Sequence, residues 1–202
     1  MKLKNAAWKF LSAVVVVCWP VLVNATPQPP VASGKLEVSA SVSTYADLAV
    51  AVANSYDEIT ITSDITFSGA ITISGQSLTI TGDSMTLTSE TGRLFYIRSS
   101  STVTFSGITF QSGSANDIYW DWSYSKGHGG CLYVYQSTVV VSDATFTACT
   151  ARGYTSWWTN YYGDGGAIFL DDSSTAELTS VFFNANTATF SNTDVREGSS
   201  LT

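Results

Sequence analysis

The feature that most constrains this chain is a module of two-residue alternation: an apolar-x-apolar triplet, a short polar break, then a second apolar-x-apolar triplet. It occurs as Ile59-Thr60-Ile61 with Ile65-Thr66-Phe67, and as Leu78-Thr79-Ile80 with Met85-Thr86-Leu87. It recurs as Val103-Thr104-Phe105 with Ile108-Thr109-Phe110, as Val139-Val140-Val141 with Ala144-Thr145-Phe146, and as Ala176-Glu177-Leu178 with Val181-Phe182-Phe183. Counted from the first residue of each, the steps are 19, 25, 36 and 37. Period-two patterning reads as strand, and a further short strand precedes the later modules at Ala70 to Ile73, Leu94 to Ile97, Leu132 to Tyr135 and Ile168 to Asp171. Three short strands per unit, joined by Ser and Gly turns, predict a parallel β-solenoid whose turns lie about 4.8 Å apart. A β-sandwich is also built from short strands, but its connections need not recur in register. The one helical stretch is Thr44 to Asn54, with Ser43 or Thr44 as N-cap and Leu48 and Val52 on its apolar face.

The lengthening of the last two complete repeats falls at one corner. Thr109 to Cys131 and Thr145 to Ala167 are both 23 residues long and match at their ends. Phe110-Gln111-Ser112-Gly113 parallels Phe146-Thr147-Ala148-Cys149 and Phe183-Asn184-Ala185-Asn186, while Gly129-Gly130-Cys131-Leu132 parallels Gly165-Gly166-Ala167-Ile168. Insertions at one corner of successive repeats form one surface.

Gly165-Gly166-Ala167-Ile168 followed by Phe183-Asn184-Ala185-Asn186 resembles the paired GGA-[ILV] and F-x-x-N motifs of polymorphic outer membrane protein repeats. The preceding repeat departs from that pattern, with Cys131 in place of Ala and Cys149 in place of the final Asn. The resemblance covers roughly residues 44 to 202. It implies an all-β, right-handed, pectin-lyase-like parallel β-helix of about five coils with a short N-terminal capping helix, and a role in adhesion at a cell surface. Paired glycines suit a crowded corner, and the terminal Asn of the motif suits hydrogen bonding to turn backbone.

Residues 1–25 join Lys2, Lys4 and Lys9 to an apolar run through Val23 and a small residue at Ala25, the pattern of a cleaved secretory signal. The run is broken by Pro20 and is shorter than the roughly 20 residues that span a bilayer. A secreted or cell-surface location is therefore expected. Residues 26–43, with Pro27, Pro29, Pro30 and Gly34, read as a linker, and 44–202 as the repeat domain. Removing the signal leaves six basic residues against 16 acidic ones, a net charge of −10, which disfavours nucleic acid as a partner. Cys18 leaves with the signal, so Cys131 and Cys149 remain as an even pair at the entry and exit of one coil, which permits a disulfide.

The aromatic residues carry the functional reading. Trp120, Trp122, Trp157 and Trp158 all fall in the two inserts, with Tyr124, Tyr161, Tyr162 and Asp121, and Trp122 and Trp158 are equivalent across the 36-residue step. Outward-facing Phe95, Tyr133 and Phe169 are expected to stack at the base of this corner. Such rings offer flat faces to an extracellular polysaccharide or cell-surface glycan, or else serve as amphipathic cover for the inserts.

Catalysis is weighed as the alternative, because pectin-lyase-like β-helices include lyases and hydrolases. The mature chain offers only Lys35, Lys126, Arg93, Arg98, Arg152 and Arg196 as bases, and Asp171-Asp172 fits a solvated turn. His128, equivalent to Asp164, reads as structural. A non-catalytic module without metal or cofactor is expected. An outward rank of Thr66, Thr86, Thr109 and Thr145 raises an ice-binding or purely structural solenoid as a second alternative. The next Gly-Gly pair would fall just beyond Thr202, so the last coil is expected to be open or truncated, with self-association through its edge as one way to cover it.

Overall fold

The structure, a computed structural model, describes residues 38–89, 91–115, 127–155, 160–161 and 163–190. The segment 1–25, read as a signal, and most of the segment read as linker lie outside the described residues. The described chain is all-β apart from one helix, and its strands lie in three sheets whose pairs are parallel with one short exception.

The longest sheet contains β1 (Ser39–Val42), β2 (Glu58–Ile61), β3 (Ile65–Phe67), β5 (Ser77–Ser89), β7 (Thr102–Gln111), β10 (Thr138–Thr147) and β14 (Thr175–Asn184). The second runs β4 (Ile71–Ser74), β6 (Phe95–Arg98), β9 (Leu132–Tyr135), β13 (Ile168–Asp171). In the third, β8 (Ser114–Ala115) and β15 (Thr187–Phe190) flank β11 (Thr150–Thr155), whose end also pairs antiparallel with β12 (Asn160–Tyr161). The sequence expected three short strands per repeat. Instead, each pair of apolar triplets from β5 onward is continuous within one strand, and the third strand is the one at Ser114, Thr150 and Thr187.

A bend inside each long strand explains the polar break. Ser84, Gly107, Asp143 and Ser180 have φ of 59°, 66°, 50° and 54°, so one left-handed residue per layer redirects the strand. Gly107 is required there. A Cβ on it would lie 2.0 Å from the Gly82 carbonyl oxygen of the layer beneath. The corner into the third sheet is turned in the same way by Ser112, Ala148 and Ala185.

Register follows the repeat where the repeat is long. Thr102 pairs with Thr138 and Thr138 with Thr175, reproducing the 36- and 37-residue steps. Two expectations are corrected. Ile59 pairs with Ile80, not Leu78, and Ile65 with Leu87, not Met85. A shift of two residues leaves every side chain on its own face, so alternation cannot detect it. For the same reason Thr66 opposes Thr88, and the rank Thr86, Thr109, Thr145 ends at Phe182 without it. Ser39–Val42, within the segment read as linker, pairs with Glu58–Ile61.

Alternation fills the core from the inner faces. Val103, Phe105, Ile108 and Phe110 of β7, and Val139, Val141, Ala144 and Phe146 of β10, are buried. Phe110 and Phe146 stack with ring centroids 4.5 Å apart, and Phe146 and Phe183 at 5.3 Å, because in-register pairing puts like residues above one another. Helix α1 (Tyr45–Ala53) packs against this core at its other end through Leu48, Ala51 and Val52. Its N-cap is Thr44, whose Oγ1 accepts the Asp47 N–H at 3.2 Å.

Asn186 of the F-x-x-N motif has a defined task. Its Oδ1 accepts the Cys149 N–H and its Nδ2 donates to the Phe146 carbonyl, both at 2.9 Å, so one side chain ties two layers at the corner. One layer earlier that position is Cys149, which is disulfide-bonded to Cys131. Both cysteines are fully buried. Phe146→Ala removes the middle ring of the Phe stack and is expected to destabilise the fold by about 3–5 kcal/mol, measured by urea unfolding. Replacing both cysteines with Ala is expected to cost about 3 kcal/mol for a loop of this length, measured in the same way.

Candidate functional site

The outer face of the second sheet carries a patterned surface of rings and charges. Pairing aligns Thr72, Tyr96, Tyr133 and Phe169 in one outward rank, and Ser74 with Arg98 and Tyr135 with Asp171 in the next. The expected ladder of Phe95, Tyr133 and Phe169 is corrected by one residue. Phe95 opposes Leu132 and is fully buried, whereas Tyr96 takes the outward place. The cause lies in the entry to β6, where both Leu94 and Phe95 are buried and their N–H groups share the Cys131 carbonyl. Two consecutive inward residues defeat a strict count of alternation.

Within this surface the Tyr96 and Tyr133 rings meet edge-on at 5.1 Å, and Tyr133 and Phe169 lie 5.6 Å apart. The guanidinium of Arg98 lies 5.5 Å from the Tyr96 centroid, and that of Arg93 lies 5.0 Å from Tyr133. The Tyr133 hydroxyl donates to Asp171 Oδ2 at 2.6 Å. Burial, then the bond to Asp171, pushes the Tyr133 phenol far above its ordinary value, so it stays protonated and cannot serve as a base at neutral pH. Beside it Gln136 Nε2 donates to Asp172 Oδ2 at 2.6 Å. Tyr96, Tyr135 and Phe169 are half-buried and Arg98 is exposed, so a ligand has access to rings and polar groups together.

The glycine corner beside this face is built from both motif pairs. Gly129 and Gly165 have φ of 64° and 63°, and a Cβ on either would lie 2.2 Å from the carbonyl oxygen three residues ahead, on Leu132 and Ile168. Gly130 and Cys131 donate to the Gly166 and Ala167 carbonyls at 3.0 Å, stacking one corner on the other. Arg93 holds the same corner from the layer beneath. Its Nε donates to the Gly129 carbonyl at 2.9 Å and its Nη2 to that of His128 at 2.5 Å. In the sequence Arg93 and Arg98 read only as basic residues. Arg93 precedes β6 and carries no motif of its own, so nothing in the sequence singles it out.

His128 does sit one repeat step from Asp164. Its Nδ1 accepts the Asp164 N–H at 3.2 Å, and its ring stacks on Phe169 at 4.5 Å. Burial lowers the imidazole pKa despite the opposing fields of Asp164 and Asp171, with Arg93 adding to the lowering.

The residues singled out in the inserts are placed as follows. Trp120, Asp121, Trp122, Tyr124, Trp157, Trp158 and Tyr162 lie outside the described residues. The backbone of Tyr161 pairs with Tyr154 in a short antiparallel ladder at the stem of the second insert. Asp171 and Asp172 are engaged by Tyr133 and Gln136 respectively. Among the described residues no three His, Cys, Asp or Glu side chains are grouped to hold a metal ion.

Because the folded His128 pKa lies below 6.5, the unfolded chain takes up a proton that the fold resists. Its contribution to stability is complete above about pH 6.5 and is lost as the pH falls below that value. The urea midpoint of His128→Gln is expected to fall less than that of the parent between about pH 7 and pH 5, and equal slopes would refute the assignment. Tyr133→Phe is expected to cost about 1.5 kcal/mol at neutral pH, the low end for a bond to a charged acceptor. Compared with family models, with curated proteins and with solved structures, the chain matches none.

Proposed function

We propose that this chain is a secreted or cell-surface, right-handed parallel β-helix of about five coils that acts as a recognition or adhesion module for glycan. The fold reading is supported by three ladders in which each strand pairs with its equivalent one repeat away. The functional reading is carried by the outer face of the second sheet. There Tyr96 and Phe169 flank Tyr133, with Arg98, Asp171, Asp172 and Gln136 around them.

A pyranose ring has apolar C–H faces and a rim of hydroxyls. Aromatic faces match the first, while carboxylate, amide and guanidinium groups match the second. The proposal keeps the sequence expectation that Trp120, Trp122, Trp157, Trp158, Tyr124, Tyr161, Tyr162 and Asp121 of the two inserts take part in binding. With a mature net charge of −10, neutral sugars are favoured over polyanionic ones. No catalytic step is assigned. The Tyr133 phenol is held protonated, and both carboxylates of Asp171-Asp172 accept hydrogen bonds from neighbouring side chains.

On an array of neutral oligosaccharides the parent protein is expected to be retained. Tyr96→Ala combined with Phe169→Ala is expected to weaken retention at least tenfold, as is Trp122→Ala combined with Trp158→Ala, with β-rich circular dichroism preserved. Uronate polymers shortened with rising ultraviolet absorbance would replace this reading with that of a lyase. Retention unchanged in both double variants would remove the aromatic surface from it.

A further inference from the structure

We propose that His128 makes glycan recognition by the second-sheet face pH-dependent, its neutral imidazole keeping the Phe169 ring in place and its protonation releasing the ligand. The inference rests on the recognition reading above and adds a regulation of the same surface. His128 is the only histidine in the chain. Histidine is the one side chain whose ordinary titration falls between about pH 5 and pH 8, so a response to mild acid has a single natural seat here.

Three contacts set the imidazole between the glycine corner and the aromatic face. Its Nδ1 accepts the Asp164 N–H at 3.2 Å, and its ring lies on Phe169 with centroids 4.5 Å apart and planes 18° from parallel. Its backbone carbonyl accepts from Arg93, whose guanidinium also lies over the Tyr133 ring. Phe169 in turn lies 5.6 Å from Tyr133. The side chain of His128 is 17% exposed, so water can supply the proton directly.

A ring nitrogen that accepts from a backbone N–H carries no proton of its own. The bond from Asp164 therefore selects the neutral tautomer with its hydrogen on Nε2. Once Nδ1 takes up a proton, two donors face each other across 3.2 Å and the bond is lost. The new N–H has another acceptor close by, Asp164 Oδ2 at 3.4 Å. Moving from the backbone N–H to the carboxylate shifts the imidazole relative to Phe169, the ring it lies on. One proton thereby alters the Tyr133 and Phe169 pair on which the proposed sugar contact depends.

The groups around the imidazole set the pH range. Burial, the largest influence, lowers its pKa against the fields of Asp164 and of Asp171 on β13, and Arg93 ahead of β6 adds to the lowering. The neutral form therefore prevails at neutral pH, and proton uptake falls below about pH 6.5. The Tyr133 and Tyr135 phenols beside Asp171 and Asp172 are shifted upward and stay protonated throughout. Binding and protonation are coupled in both directions, so a ligand that needs the neutral imidazole also resists its protonation.

Two measurements test this. In the free protein, NMR from about pH 8 to pH 5 is expected to show the Phe169 ring signals and the Asp164 amide proton moving with the midpoint of the single imidazole, the amide upfield as its bond is lost. On the array of neutral oligosaccharides, parent retention is expected to fall at least threefold between about pH 7.5 and pH 5 along that midpoint, with circular dichroism unchanged. His128→Gln offers Oε1 to the Asp164 N–H but takes up no proton, and is expected to bind equally at both pH values. Phe169 and Asp164 signals that ignore the imidazole, parent retention equal at the two pH values, or the same loss in His128→Gln overturns the proposal. The NMR arm needs only the parent protein, so it decides even where His128→Gln fails to fold. A parent retained equally at both pH values sinks the switch and leaves the recognition reading standing, whereas a parent retained at neither sinks both.

Discussion

From Thr102 to Thr138 to Thr175, each strand of the long sheet hydrogen-bonds its equivalent one repeat earlier, and this in-register parallel pairing sets the terms for every side chain. Like positions are brought to about 4.8 Å. At that spacing an apolar rank becomes a continuous core and a charged rank would repel itself. The sequence obeys both demands. Its charged fraction is only 12%, and its inward positions repeat as Phe110, Phe146 and Phe183. The same constraint explains the corners. A turn in one layer must lie flat on the turn below, so left-handed residues recur in step at Ser84, Gly107, Asp143 and Ser180.

The outer surface is freed from core packing by this arrangement, and there the chain departs from plain Ser and Thr. Tyr96, Tyr133 and Phe169 occupy one rank, and charged neighbours hold them in place. Arg93 acts in two directions at once, covering the Tyr133 ring and donating to the carbonyls of His128 and Gly129. The aromatic face and the glycine corner are thus mechanically linked. One buried guanidinium touches both the turn of the next layer and the Tyr133 ring.

How much of this was legible depended on repeat length. The last repeats step by 36 and 37 residues with matched corners, so the match of Val103 with Val139 and of His128 with Asp164 could be read from numbering alone. The early repeats are shorter and unequal, and there the Ile59 register slipped by two residues without moving any side chain to the wrong face. The ladder at Tyr96 was misread by one because Leu94 and Phe95 both turn inward at a corner, which no period-two count anticipates. Arg93 is not legible as a site residue, because a buried arginine in a strand lead-in has no motif. Its role exists only once the glycine corner of the next layer is stacked over it.

Alternation and the recurring Gly-Gly and Phe motifs determined by themselves that the chain is a β protein of repeated layers with a lone helix, because the face of each residue follows from a local two-residue geometry. Tertiary structure decided the rest. It joined the paired triplets into single bent strands, added the third sheet, bridged Cys131 to Cys149, and chose which aromatic rings share a rank. Those outcomes depend on how one layer settles on another. Contacts between residues 36 apart are set by corner geometry and close packing, which local patterning does not encode.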